Sequence, residues 1–271
     1  MEIRKRKRKA FLGDFVYKKQ PMSHPPIIIF DVDGVLLSSK GHFLAALRLM
    51  RDNRYRWNEE LLHTLTSVDI IRLLEEGAKE RTFASLKTIY QNFVDLIPSK
   101  LRRWSFLFKM GRSVDKYDWK YNDFFPETEQ TLRTLKQKGI IIAAASNSTG
   151  DRITSWFKRK GVEDLFKFYV SRDGRKVYGV KPSPGPLYWV LLKIKRHFQF
   201  GPIDRSKVAF VGDLATDIMA GKRANVTTIG VLSGHSTRNE LQSLDPDFIF
   251  RDITEILPHL HEIFPSFSQE K

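Results

Sequence analysis

Short apolar runs alternate with stretches in which hydrophobic side chains recur every third or fourth position. The runs "IIIF" (27–30), "GIIIAAAS" (139–146), "FKFYV" (166–170), "KVAFVG" (207–212) and "TTIGV" (227–231) read as strands. The first is apolar at four consecutive positions, as strands buried on both faces are. Between them, 127–138, 150–160, 184–197 and 217–224 carry helical spacing. Such strand–helix alternation predicts an α/β fold, a doubly wound, Rossmann-like parallel sheet. A last run, "DFIF" (247–250), predicts an edge strand, followed by a closing helix near 253–264.

One interval breaks the rhythm. More than a hundred residues separate the first two strand runs. Within them 42–51, 59–65, 68–78 and 82–97 all show helical spacing. A βαβ crossover needs only about 30 residues. The excess predicts an inserted all-helical cap over the carboxyl end of the first strand. The expected organisation is a tail at 1–22, an α/β core at 23–40 and 126–271, and the cap at 41–125. The Gly-Pro punctuation at 182–186 and 201–202 marks loops rather than boundaries.

Composition narrows the picture. With 271 residues, 41% hydrophobic and 20 Phe, the chain can build a substantial core. No apolar run approaches the roughly 18 residues of a membrane span. There is no Cys, which excludes disulfides and thiolate zinc sites and suits a cytoplasmic setting. The formal charge is +15, and residues 1–21, with eight Lys or Arg against two acids, supply +6 of it. "RKRKRK" (4–9) lacks the apolar core of a secretory signal and reads as a solvated tail. Nucleic acid enters as a partner only through that tail. Met22 immediately precedes the core, so the tail also reads as a start-site extension.

The chemistry lies where the strands end. In an open parallel sheet, ligands bind outside the carboxyl ends of the strands. The first strand ends in Asp31-Val32-Asp33-Gly34, the second in Ser146-Asn147-Ser148. "GVKPSPGP", holding Lys181, follows the third, and "GDLATD", holding Asp213 and Asp217, ends the fourth. Lone buried charges are costly, so clustered carboxylates call for a cation among them. Hard oxygen ligands without thiolates favour Mg²⁺. Asp31 is suited to attack phosphorus as a carboxylate nucleophile. Asp33 is placed to protonate the leaving oxygen and then activate water. Ser146, with Asn147 and nearby backbone N–H groups, suits phosphoryl oxygens, and Lys181 suits neutralising their charge.

"DVDGVLLSS", "ASNS", "GVKPSP" and "GDLATD", in this order, resemble the four motifs of the haloacid dehalogenase superfamily. The resemblance covers roughly 27–257 and points to the phosphoglycolate phosphatase-like branch, with a helical cap after the first motif. "FFPETEQTLRTLKQKG" (124–139) and "TTIGVLSGHSTRNEL" (227–241) resemble that branch too. The resemblance implies Asp31 as nucleophile, Asp33 as acid and base, Ser146 as phosphate ligand and Lys181 as charge stabiliser. It further implies Mg²⁺ held by Asp31, the backbone carbonyl of Asp33 and Asp213, with Asp217 supporting or ligating. The family's dehalogenases lack a second acid at position 33, so Asp33 argues for an enzyme acting on phosphate. Ser38 departs from the acidic residue frequent there in related sequences.

The expected activity is Mg²⁺-dependent hydrolysis of a small phosphate monoester through an aspartyl-phosphate, by a monomer or dimer. Two other readings stand beside it. One is a phosphomutase of the β-phosphoglucomutase kind, and the other a nucleic-acid-binding protein with a vestigial core. Several residues have plainer readings. Asp217 also suits capping a helix N-terminus. Arg48, Arg51, Arg54 and Arg56 read as a solvated face of the cap, with Arg48 and Arg51 also suited to reach over the site to a second anionic group of the substrate, and His259 and His261 read as surface residues. His235 reads as a loop residue near the rim.

Overall fold

The computed structural model describes residues 24–38 and 122–266. The tail, residues 41–121 of the predicted cap with its arginines, and the cap's Trp57, Trp104 and Trp119 lie outside the described residues.

Six strands form a single sheet: β1 (Ile27–Phe30), β2 (Ile141–Ala145), β3 (Phe168–Val170), β4 (Val208–Gly212), β5 (Thr227–Val231) and β6 (Phe248–Phe250). Their order is β3-β2-β1-β4-β5-β6, and every pairing is parallel. Among the described residues, the helices between and after them are α1 (Thr128–Gln137), α2 (Gly150–Arg159), α3 (Arg175–Tyr178), α4 (Gly185–Phe198), α5 (Ala215–Ala224), α6 (Arg238–Gln242) and α7 (Leu260–Ile263). The predicted α/β parallel sheet is observed, with each strand within two residues of its expected bounds and β6 on the edge.

The unbroken hydrophobicity of β1 has a simple cause. Ile28 and Phe30 face a cluster with Leu132, Leu135, Trp156, Phe157 and Phe264, while Ile27 and Ile29 face Leu187, Val190, Ile194 and Ala224. Helices α1 and α2 and the C-terminal segment therefore cover one face, and α4 and α5 cover the other. A strand whose two faces are both buried gains nothing from alternation. All four β1 residues are fully buried.

Two boundaries differ from the sequence reading. Helix α5 begins at Ala215, two residues before the expected start. Asp217 lies in its first turn and accepts the Leu214 N–H at 3.1 Å, so the acid stabilises the turn from inside rather than opening it. The closing helix splits into a 3-10 turn, Ile253–Ile256, and α7. Pro258 lies between them, lacking an N–H to donate and clashing with the carbonyl one turn earlier. Among the described residues no helix is long and apolar enough to cross a membrane.

Candidate active site

Strand β1 is central, with β2 and β4 on its flanks, so the groups after these three strands meet at one rim. The Asp31 N–H makes the last sheet bond, to the Val211 carbonyl at 2.8 Å. Beyond it the chain leaves the sheet through Asp33 and Gly34.

The centre of the site is one lysine shared by two acids. Lys181 Nζ lies 2.8 Å from Asp31 Oδ1 and 2.6 Å from Asp217 Oδ1. Lys181 is 1% exposed, Asp31 3%, and Asp213 and Asp217 0%, so water screens none of these charges. The Lys181 backbone N–H donates to Asn147 Oδ1 at 3.2 Å, which ties the "KPSP" loop to the end of β2. Lys181 Nζ also lies 5.7 Å from the centre of the Phe210 ring.

Asp213 completes the acid group. Carboxylate oxygens of Asp31, Asp213 and Asp217 all lie within 4.8 Å of one another. The His235 N–H holds Asp213 Oδ2 at 2.9 Å, so the loop role read for His235 is carried by its backbone. Burial pushes the Asp31 carboxyl up to about 7. Lys181 pulls it down and Asp217 pushes it up again, so the attraction of a single lysine does not outweigh burial. Three close, buried, hard oxygen donors with no thiolate suit a small divalent cation. The carboxylate is seated closely. A Cβ on Gly34 would fall 2.2 Å from Asp213 Oδ2, and one on Gly234 1.9 Å from it.

Gly34 faces a second restriction, because its φ is +80° and side-chain-bearing residues rarely adopt that region. Gly34→Ala is therefore expected to displace Asp213 and reduce divalent-cation affinity by at least about tenfold, as loss of a supporting contact at a metal site does. Calorimetric titration with Mg²⁺ checks this, and unchanged affinity would contradict the packing described.

Asp33 stands apart from that group. Its carboxylate pairs with Arg152, with Nη2–Oδ1 and Nη1–Oδ2 both 2.8 Å, and accepts from Ser148 Oγ at 2.5 Å. Its side chain is thus outside the acid cluster, leaving only its backbone carbonyl for the metal role that the resemblance implies. Ser146 is buried, and its Oγ accepts the Ser148 N–H at 3.1 Å. Asn147, expected among the phosphate ligands, accepts the Lys181 backbone N–H on its Oδ1, a contact that helps to position the lysine. Asp217 serves its helix and meets the lysine at once. Oδ2 stabilises the first turn of α5 while Oδ1 faces Lys181.

The sequence reading missed Arg152, Ser148 as a donor to Asp33, and Ser233, whose hydroxyl donates to the Gly34 carbonyl at 2.8 Å. His259 packs on Phe250 and directs Nδ1 to the Glu255 carbonyl, and His261 is exposed, so neither belongs to the acid cluster. A cleft lined by Phe124, Thr128, Arg133 and Lys160 opens beside α1, and its lining holds none of the acid-cluster residues.

Residues 28–231 match the model of the haloacid dehalogenase-like hydrolases. The chain belongs to that family, as an enzyme of its phosphatase type. A phosphoglycolate phosphatase of Haemophilus influenzae is 27% identical over 237 residues, covering 85% of this chain and 96% of the relative. A second, from Pasteurella multocida, is 31% identical over 133 residues, 49% of this chain and 55% of the relative. Among solved structures, a Deinococcus radiodurans family hydrolase with bound phosphate and sodium superposes with a TM-score of 0.61 at 19% identity, covering 89% of this chain and 97% of its own. A Thermotoga maritima protein assigned as a beta-phosphoglucomutase gives 0.61 at 20%, covering 88% and 99%. At these identities the structural likeness speaks to the fold.

Proposed function

We propose that the protein is a Mg²⁺-dependent phosphatase that hydrolyses a small phosphate monoester through an aspartyl-phosphate on Asp31. The observation that carries this reading is the buried Asp31–Lys181–Asp217 arrangement at the carboxyl rim, with Asp213 beside it and a second acid, Asp33, two residues after the nucleophile. The Asp31 carboxylate attacks phosphorus, and the bond to the ester oxygen breaks. Asp33 gives that oxygen its proton, and the alcohol leaves. Asp33 then takes a proton from water, the resulting hydroxide attacks the phosphoryl group, and phosphate leaves as the Asp31 carboxylate is regenerated. Lys181 holds Asp31 in place by ion pairing and offsets charge on the phosphoryl oxygens. Ser146 and the backbone following β2 receive those oxygens.

Asp31, Asp213 and the Asp33 carbonyl would hold Mg²⁺, with Asp217 supporting. The ion supplies positive charge that keeps Asp31 ionised and neutralises the phosphoryl group. The curated relatives are phosphoglycolate phosphatases, which supports phosphoglycolate as the first substrate to test, ahead of sugar phosphates and nucleotides.

The test is phosphate release from a panel of small esters with Mg²⁺ and with chelator. We expect release that requires the ion and is fastest with a small carboxylated or sugar ester. Phosphoryl movement within a sugar phosphate, without free phosphate, would favour the mutase reading. No reaction with any ester would overturn both.

A further inference from the structure

Arg152 is not explained by the helix that carries it. It is the third residue of α2, in the first turn, where the exposed backbone N–H groups make a cation unfavourable. A residue that opposes its local structure points to a specific partner elsewhere. One such partner is Asp33, 119 positions away in the chain.

The contact has directional geometry. Two guanidinium nitrogens lie against the two carboxylate oxygens, each at 2.8 Å, and Nη1 donates a hydrogen bond to Oδ2, a two-point contact beyond the reach of a lysine's single ammonium. Ser148 donates to Oδ2 at 2.5 Å and receives a bond from Arg152 Nη1 at 3.1 Å, so the three side chains form one connected group. The pair is largely shielded, with side-chain exposures of 15% for Arg152 and 22% for Asp33. Two acids that leave the same strand end are thereby directed to different cations, Asp31 to Lys181 and Asp33 to Arg152.

We propose that Arg152, with Ser148, is the positioning residue that orients Asp33 for proton transfer to and from the substrate's ester oxygen. The proposal rests on the acid–base role given to Asp33 above. Each carboxylate oxygen has two lone-pair sites, so the clamp fixes Asp33 and leaves it able to meet an ester oxygen. In the first half-reaction a proton on Asp33 passes to the leaving oxygen as its bond to phosphorus breaks. In the second, a proton passes from water to Asp33. Arg152 itself exchanges none.

The readout is leaving-group dependence of kcat/KM, which covers steps only as far as departure of the alcohol. p-Nitrophenyl phosphate releases a stable phenolate and needs little protonation, whereas glycerol phosphate releases an alkoxide and needs it fully. Asp33→Asn is expected to cost roughly 10²-fold or more on glycerol phosphate, the usual scale of general-acid catalysis, and far less on the aryl ester. Arg152→Gln should reproduce that bias, losing at least about tenfold more on the alkyl ester, and Arg152→Lys should recover part of it. The double variant should be no worse than Asp33→Asn alone.

Equal losses of Arg152→Gln on both esters, a change confined to KM, or compounding in the double variant would overturn the proposal. If Arg152→Gln does not fold, Arg152→Lys carries the same comparison, since lysine keeps the charge and loses the fork. The failures are distinguishable. An Asp33→Asn variant without leaving-group bias overturns the acid–base role and the clamp together. Bias in Asp33→Asn but in neither Arg152 variant overturns the clamp alone.

Discussion

Asp31→Asn is expected to abolish phosphate release, by roughly 10⁴-fold or more as loss of a nucleophile does, while leaving the protein as stable as before or more so. The two outcomes have one cause. Burial raises the Asp31 carboxyl from 3.8 to about 7, so the ionised form that attacks phosphorus is also the form the fold resists. Between those values the unfolded chain has released a proton that the folded chain keeps. The metal-free protein therefore loses stability as the pH rises from about 4 through about 7, and the loss persists above that. Asparagine has no such proton. Chemical denaturation of both proteins across this range, in chelator, gives a difference curve that should grow with pH and level off. Mg²⁺ should restore the wild type and help the variant much less. Retained turnover would remove Asp31 as nucleophile, and a variant less stable than wild type at the alkaline end would contradict the electrostatic account.

Lys181→Met reverses the situation. It removes the cation 2.8 Å from Asp31 and 2.6 Å from Asp217, in a place where the two acid side chains are 4% and 0% exposed. Breaking a buried pair on one side costs about 3–5 kcal/mol, because the remaining charge loses its counter-charge where solvent does not reach it. For a chain of this size that corresponds to a fall in Tm on the order of 10 °C. Turnover should be lost as well. Adding Asp217→Asn to Lys181→Met should recover part of the stability but no activity, since it removes one of the stranded charges and restores no chemistry. A Lys181→Met protein melting at the wild-type temperature would show that the acids are satisfied without the lysine.

The sheet and the acid cluster were legible because local signals and global position coincide. Asp31 follows four buried apolar residues, and Asp213 follows five, so each acid could be placed at a strand end from patterning alone. Arg152 was not legible, because a basic residue in a helix otherwise rich in polar side chains reads as solvated and its partner lies on another element. The bond from the Lys181 backbone to Asn147 was hidden for a similar reason. The sequence position of Asn147 shows that it reaches the rim, whereas its bond to the Lys181 backbone depends on how two loops meet. Asp217 shows a third case, in which one carboxylate holds the helix turn with one oxygen and meets Lys181 with the other.

The position of β1 between β2 and β4 has a consequence for how the enzyme comes into being. Its contacts at the rim join residues very far apart along the chain, such as Ser148 with Asp33 across 115 positions and Ser233 with Gly34 across 199. Closing such long loops is entropically expensive and slow, and none of these contacts can form within a local segment. A nascent or refolding chain can build its helices early and still have no trace of a catalytic centre. Turnover requires both flanks of β1 to have closed, which makes the reaction itself a reporter of that closure.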